Sequence, residues 1–139
     1  MKTKRIVLPL LLAVGMTFAG VSIAADTAGD SVKPNFSHAI PNIPGKSLVA
    51  VEVSYAPGGA SSPHHHAHSA FIYAYVVSGS IVSQVKGQPA HTYNAGESFY
   101  EVPGAHHLVS RNASETEPAK LLAVFVVDSN DKTLTTNDR

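Results

Sequence analysis

Four of the chain's eight histidines fall within five positions, in "SSPHHHAHSAF", Ser61 to Phe71. Side chains at i, i+2 and i+4 of an extended strand share one face. His64, His66 and His68 have that spacing, and His65 would point the other way. Two imidazoles two residues apart can reach one cation, with nitrogen–metal distances of roughly 2 Å. A tight site needs a third ligand from elsewhere. The candidates are His106 and His107, just after "VPGA"; being adjacent, they face opposite ways, so at most one looks inward. Glu97 and Glu101, on or near the preceding strand, could supply oxygen. The competing reading is a solvated His-rich loop that holds cations loosely. The chain has no cysteine, which excludes thiol catalysis and thiolate ligation and leaves imidazole and carboxylate for any transition metal. His91 is expected to be exposed, and His38 to lie apart from the site.

These side chains need short strands to position them. "SLVAVEVSYA" alternates, with Val49, Val51, Val53 and Tyr55 on one face. "PGGASSP" breaks it. "AFIYAYVVSG" is β-branched and aromatic and ends at Gly79. "SIVSQV" alternates again, placing Ile81, Ser83 and Val85 together. "AHTY", "ESFYEV" and "HHLVSR" follow, separated by "NAG" and "PGA". "KLLAVFVVD" reads as a strand buried on both faces, and "SNDKTLTTNDR" as a loose tail or edge strand. No segment carries a helical period. Eight or so short strands with frequent turns predict an all-β sandwich or barrel. "NAS" at Asn112 matches a glycosylation sequon.

The N-terminus has a different character. "MKTKR" is basic, "IVLPLLLAVGMTFAG" is apolar, and "VSIAAD" supplies small residues, which is the pattern of a secretory signal peptide cleaved near Ala24 or Ala25. The apolar core, broken by Pro9 and Gly15, is short of the roughly 20 residues of a spanning helix. The expected organisation is a signal peptide over 1–25, an extended Pro-rich arm over 26–46, a β-barrel domain over 47–129 and a polar tail over 130–139. A periplasmic or secreted location follows, with no membrane association after cleavage. The remaining chain has seven basic and ten acidic residues. No basic patch survives, so nucleic acid is not an expected partner.

"PGGASSPHHHAHSAFIYAYVVSG" and "AGESFYEVPGAHHLVSRN" resemble the two motifs of the cupin superfamily, and closely those of its small single-domain members. The first motif runs from a glycine through His-x-His and a glutamate to a closing glycine. The second has a glycine, then proline and glycine, then two residues, a histidine and an asparagine. The resemblance spans Pro57 to Asn112 and implies a double-stranded β-helix (jelly-roll) barrel. His-x-His maps to His64 and His66, or in an alternative frame to His66 and His68. The second-motif histidine maps to His107, with His106 as runner-up. Asn112 lies one residue later than the motif expects. The glutamate is missing: the two ways of counting reach Ala70 and Ile72. Either His68 serves as an extra ligand, or Glu101 supplies a carboxylate from the neighbouring strand, or a coordination position stays open.

The resemblance implies a divalent transition-metal ion, with Fe, Mn, Ni, Cu and Zn all compatible with imidazole ligation. It further implies a metal-dependent enzyme, dioxygenase- or isomerase-like, acting on a small organic molecule in the barrel. Glu101 is then the candidate general base if it is not a ligand. Tyr73, Tyr75, Phe99 and Tyr100 are candidates for the pocket lining. The alternative is a non-catalytic module that binds a metal or small ligand. Small cupins often pair, so a homodimer is expected.

Overall fold

Strict two-residue alternation decides how these strands layer. The computed structural model describes residues 29–139, all strands and turns. The proposed signal peptide and its cleavage site lie outside those residues. In chain order the strands are β1 (Asp30–Ala39), β2 (Lys46–Tyr55), β3 (Ala60–Ser61), β4 (His64–His66), β5 (Phe71–Ser78) and β6 (Ser80–Val85). They continue as β7 (His91–Asn94), β8 (Ser98–Glu101), β9 (His106–Asn112), β10 (Ala119–Asp128) and β11 (Thr135–Asn137). One sheet has the order β1-β2-β10-β5-β8; the other runs β11-β4-β9-β6-β7, with β3 also on β9. All pairings are antiparallel. This is the jelly-roll expected from the sequence.

Inward-facing residues from both sheets fill the interior. One cluster contains Val53, Tyr55, Val76, Ile81 and Leu121, and a second contains Ile72, Phe125 and Val127. β10 is buried on one face only: Ala119, Leu121, Ala123, Phe125 and Val127 point inward, and the residues between them are half-buried. The apolar run that suggested a strand covered on both sides instead leaves Leu122, Val124 and Val126 on a partly covered outer surface. β5 alternates likewise. Ile72, Ala74 and Val76 are buried, and Phe71, Tyr73 and Tyr75 are exposed. Tyr73, Tyr75 and Tyr100 therefore lie on the outer face and do not line the pocket. Phe99 does face inward, where its ring stacks on Tyr93 at 4.6 Å.

Two strands carry an irregularity. In β1, Pro34 pairs with Val51 and Phe36 with Ala50, so Asn35 is an extra residue. In β9, His107 pairs with Val85 and Val109 with Gln84, so Leu108 is the extra residue of a β-bulge. The bulge lets His107, Ser110 and Asn112 all point inward. It also accounts for Asn112 arriving one position late. Asn112 is 1% exposed and donates from Nδ2 to the carbonyls of Ala56 and Glu117, tying two loops together. That burial leaves no room for a glycan.

Gly79, at φ 71°, turns the chain between β5 and β6. A methyl group there would come within 2.8 Å of the Ala119 side chain and the Pro118 carbonyl.

Candidate metal centre

β4 has only three residues, and its alternation separates the histidine tract. His64 and His66 face the interior and His65 faces out. β4 pairs with β9 so that His64 stands opposite His107 and His65 opposite His106. The same register thus places three imidazoles inside and two outside. One ligand nitrogen from each of His64, His66 and His107 lies within 4.8 Å of the others.

Glu101 joins them from the opposite sheet. It is the last residue of β8 and is 4% exposed. Its Oε2 lies 3.0 Å from His66 Nε2, and its Oε1 lies 3.3 Å from His107 Nδ1. In the β5–β8 pairing Glu101 is the direct partner of Ile72, one of the two positions that counting along the motif assigns to the missing glutamate. The carboxylate is present in space, carried by the neighbouring strand.

The surrounding groups orient these side chains. His64 Nδ1 is 2.8 Å from the Ser62 carbonyl, a contact that fixes the proton on Nδ1 and leaves Nε2 with a free lone pair. His107 Nε2 is 2.9 Å from Ser83 Oγ, which directs Nδ1 toward Glu101. Burial, opposed by Glu101, pushes the His107 imidazole down to about 4. Burial also lowers His64. For Glu101 burial pushes upward, but the close contact with His66 and the nearby His107 and His64 outweigh it and hold the carboxyl below its usual range. At neutral pH the site therefore offers the Glu101 carboxylate and the neutral imidazoles of His64 and His107, the protonation state in which those groups can hold a cation.

His66 Nδ1, His66 Nε2 and Glu101 Oε2 are buried and have no hydrogen-bond partner. The 3.0 Å contact between Nε2 and Oε2 is misaligned for a hydrogen bond. Leaving such atoms unsatisfied costs about 1–3 kcal/mol each. An imidazole and carboxylate donor set in which His66 Nε2 and Glu101 Oε2 meet unsatisfied fits a divalent transition metal.

The cluster forms one wall of a cavity of about 420 Å³ between the sheets. Across the cavity runs a hydrogen-bonded chain that sequence reasoning missed. Ser61 Oγ donates to Asp30 Oδ2 at 2.5 Å, and Tyr55 OH bonds Ser61 Oγ at 2.9 Å and Ser110 Oγ at 2.7 Å. Burial raises the Tyr55 pKa above its ordinary value, so its hydroxyl stays protonated. Leu134 and Thr135, at the start of the C-terminal strand, close the cavity's side.

The remaining predicted site residues lie elsewhere. β4 ends at His66, and the turn from Ala67 to Ala70 carries His68 into solvent beside Gly104. His106 faces out, with its ring stacked on His65. Glu97 caps its own turn, accepting from the Asn94 amide at 2.6 Å. His91 and His38 are exposed.

A family model described as "Cupin domain" matches residues 51–125. No curated protein matches the chain in sequence. Among solved structures, it is similar to an uncharacterized conserved protein with a double-stranded β-helix domain from Klebsiella pneumoniae subsp. pneumoniae MGH 78578. That pair shares 16% identity over 83% of this chain and 89% of that one, with TM-score 0.63. It is also similar to an oxalate oxidase in complex with the substrate analogue glycolate, at 23% identity over 73% of this chain and TM-score 0.58. A third is the DMSP lyase DddQ from Ruegeria pomeroyi DSS-3, at 19% identity over 65% of this chain and 42% of that one, with TM-score 0.53. The chain spans about half the length of the oxalate oxidase, 52% of it. At these identities the likeness is one of fold.

Proposed function

The chain belongs to the cupin family, and from that premise we propose that it is an exported protein that binds one divalent transition-metal ion and acts on a small organic molecule in its barrel. His64, His66, His107 and Glu101 would hold the ion. The observation that carries this reading is the set of orphaned buried atoms on His66 and Glu101 at the cavity wall.

When bound, such an ion supplies Lewis acidity or a centre for redox chemistry. The chain's own residues do the rest. The cavity is of the size that takes a small molecule. Ile72, Ala74 and Phe125 give it apolar surface. The Tyr55 and Ser110 hydroxyls also line the cavity; their protons are taken up along the chain to Asp30, so what they offer a polar substrate group is acceptor lone pairs. Glu101 is assigned as ligand in preference to base, because both its oxygens already meet metal-site imidazoles. The carbonyl of Ser62 keeps the His64 imidazole in the ligating tautomer, and the hydroxyl of Ser83 holds the orientation of the His107 ring.

The export reading rests on the N-terminal pattern. A homodimer is proposed through the outer face of β5 and β8, where Phe71, Tyr73, Tyr75, Val77, Tyr100 and Val102 are exposed together.

The test is metal analysis of protein made without a histidine tag. One tightly held ion that is lost in both His64→Ala and His107→Ala supports the reading; no such ion refutes it. Screening oxidisable phenols, diketones and sugars, with metal-depleted protein as control, then separates an enzyme from a binding module.

A further inference from the structure

The outward-facing half of the same strand pair carries a second donor cluster. His65 and His106 are direct cross-strand partners, and their rings stack at 3.9 Å with 15° between planes. Both present Nε2 to one carboxylate, that of Asp138. His106 Nε2 is 2.8 Å from Asp138 Oδ2, and His65 Nε2 is 3.7 Å from Asp138 Oδ1. One ligand atom from each residue falls within 4.8 Å of the others. Around a tetrahedral ion with bonds of 2.0–2.2 Å, ligand atoms sit roughly 3.3–3.6 Å apart, so small side-chain rotations would suffice.

Asp138 is not a loose tail residue. β11 adds to β4 with Thr135 opposite His66 and Asn137 opposite His64, and the Asp138 amide donates to the Pro63 carbonyl at 2.9 Å. The carboxylate is delivered by backbone pairing, as the two imidazoles are. We propose that His65, His106 and Asp138 form a second, exterior site for a borderline divalent cation such as Zn(II), Cu(II) or Ni(II). Water completes its coordination, since His65 and Asp138 are exposed.

The site joins β4 and β9, through His65 and His106, to Asp138, the residue that follows β11. An ion there ties the C-terminal strand, two residues of which border the cavity, to the strand pair carrying the interior ligands. The inner and outer sets share no residue, so each can be removed alone.

The experiment is equilibrium dialysis of the untagged, metal-stripped mature chain against Zn(II), with hydrogen exchange at Thr135 to Asn137 as a second readout. The expected result is two ions per chain, one of them weaker. His65→Ala, His106→Gln and Asp138→Asn should each weaken only one ion, by about tenfold or more, because each removes a direct ligand and even supporting contacts are worth that much. His107→Ala should spare that ion and lose the other. Zn(II) should slow exchange at Thr135 to Asn137 in His107→Ala and not in Asp138→Asn. No ion held by His107→Ala, or two undiminished ions in the doubly substituted His65→Ala, His106→Ala protein, overturns the proposal. Unaltered exchange on adding Zn(II) to His107→Ala overturns the strand-tying role.

Discussion

Glu101 stands directly across the β5–β8 ladder from Ile72, and both side chains are buried in the barrel. Directly opposed residues have Cβ atoms about 4.5–5.5 Å apart. A carboxylate moved between those two positions therefore enters the same space from an adjacent root. Glu101→Ala should weaken the interior ion by at least about tenfold. The exchange Ile72→Glu with Glu101→Ile should recover part of that loss. Competition with a chelator measures both; recovery absent in a folded double variant would show that the carboxylate's point of attachment matters as much as its presence.

Ser83 touches the site only through His107. Ser83→Ala should leave the stoichiometry at one interior ion and weaken it about tenfold, because the ring loses the hydrogen bond that orients it. Chelator competition reads the affinity and circular dichroism checks the fold. An unchanged affinity would mean that packing alone orients the ring.

Acid should destabilise the metal-free protein. The His107 imidazole titrates near 4 when folded against 6.5 ordinarily. As pH falls through that window the unfolded chain takes up a proton that the folded chain refuses, so stability present above 6.5 is lost toward 4. The loss from this group is of order 3 kcal/mol at most. Glu101, held below its ordinary value, adds a further loss as pH drops below 4.5. Denaturant unfolding at a series of pH values measures the slope, and His107→Asn should reduce it between 6.5 and 4, leaving the share contributed by His64, which burial also lowers.

Gly79→Ala should destabilise the fold by about 1–3 kcal/mol, since φ 71° disfavours a side chain and the added methyl meets Ala119 and Pro118. Thermal unfolding of metal-free protein measures this without interference from bound ions.

Light scattering on the mature protein should give twice the monomer mass. Tyr100→Asp places a charge in the exposed aromatic face and should shift the protein toward monomer. A monomeric parent chain would remove the proposed pairing.

Much of the fold and site is legible in the sequence because β structure has a period of two. That period alone places His64 with His66, and His107 opposite to His106. It misleads at His68, because i, i+2, i+4 presumes a strand of five residues and β4 stops at three. At Tyr73 and Tyr75 aromatic character suggests a pocket, although both alternate with the buried Ile72 and Ala74 and so face out. Glu101 is visible as one possibility among three, since cross-strand register cannot be counted along a single chain. Asp138 gives no signal at all. It sits in a polar tail without periodicity, and only the pairing of β11 with β4 brings it to His65 and His106.

The irregularity in β1 has a consequence for assembly. Among the described residues, the outer strands of the first sheet are β1 and β8. At β1, Pro34 has no amide to offer an incoming strand, and the extra Asn35 breaks the spacing such a strand would have to match. A sheet that can be extended at one end only can join a single neighbour. Runaway polymerisation by strand addition along this sheet is thereby closed off, however strongly β8 attracts a partner.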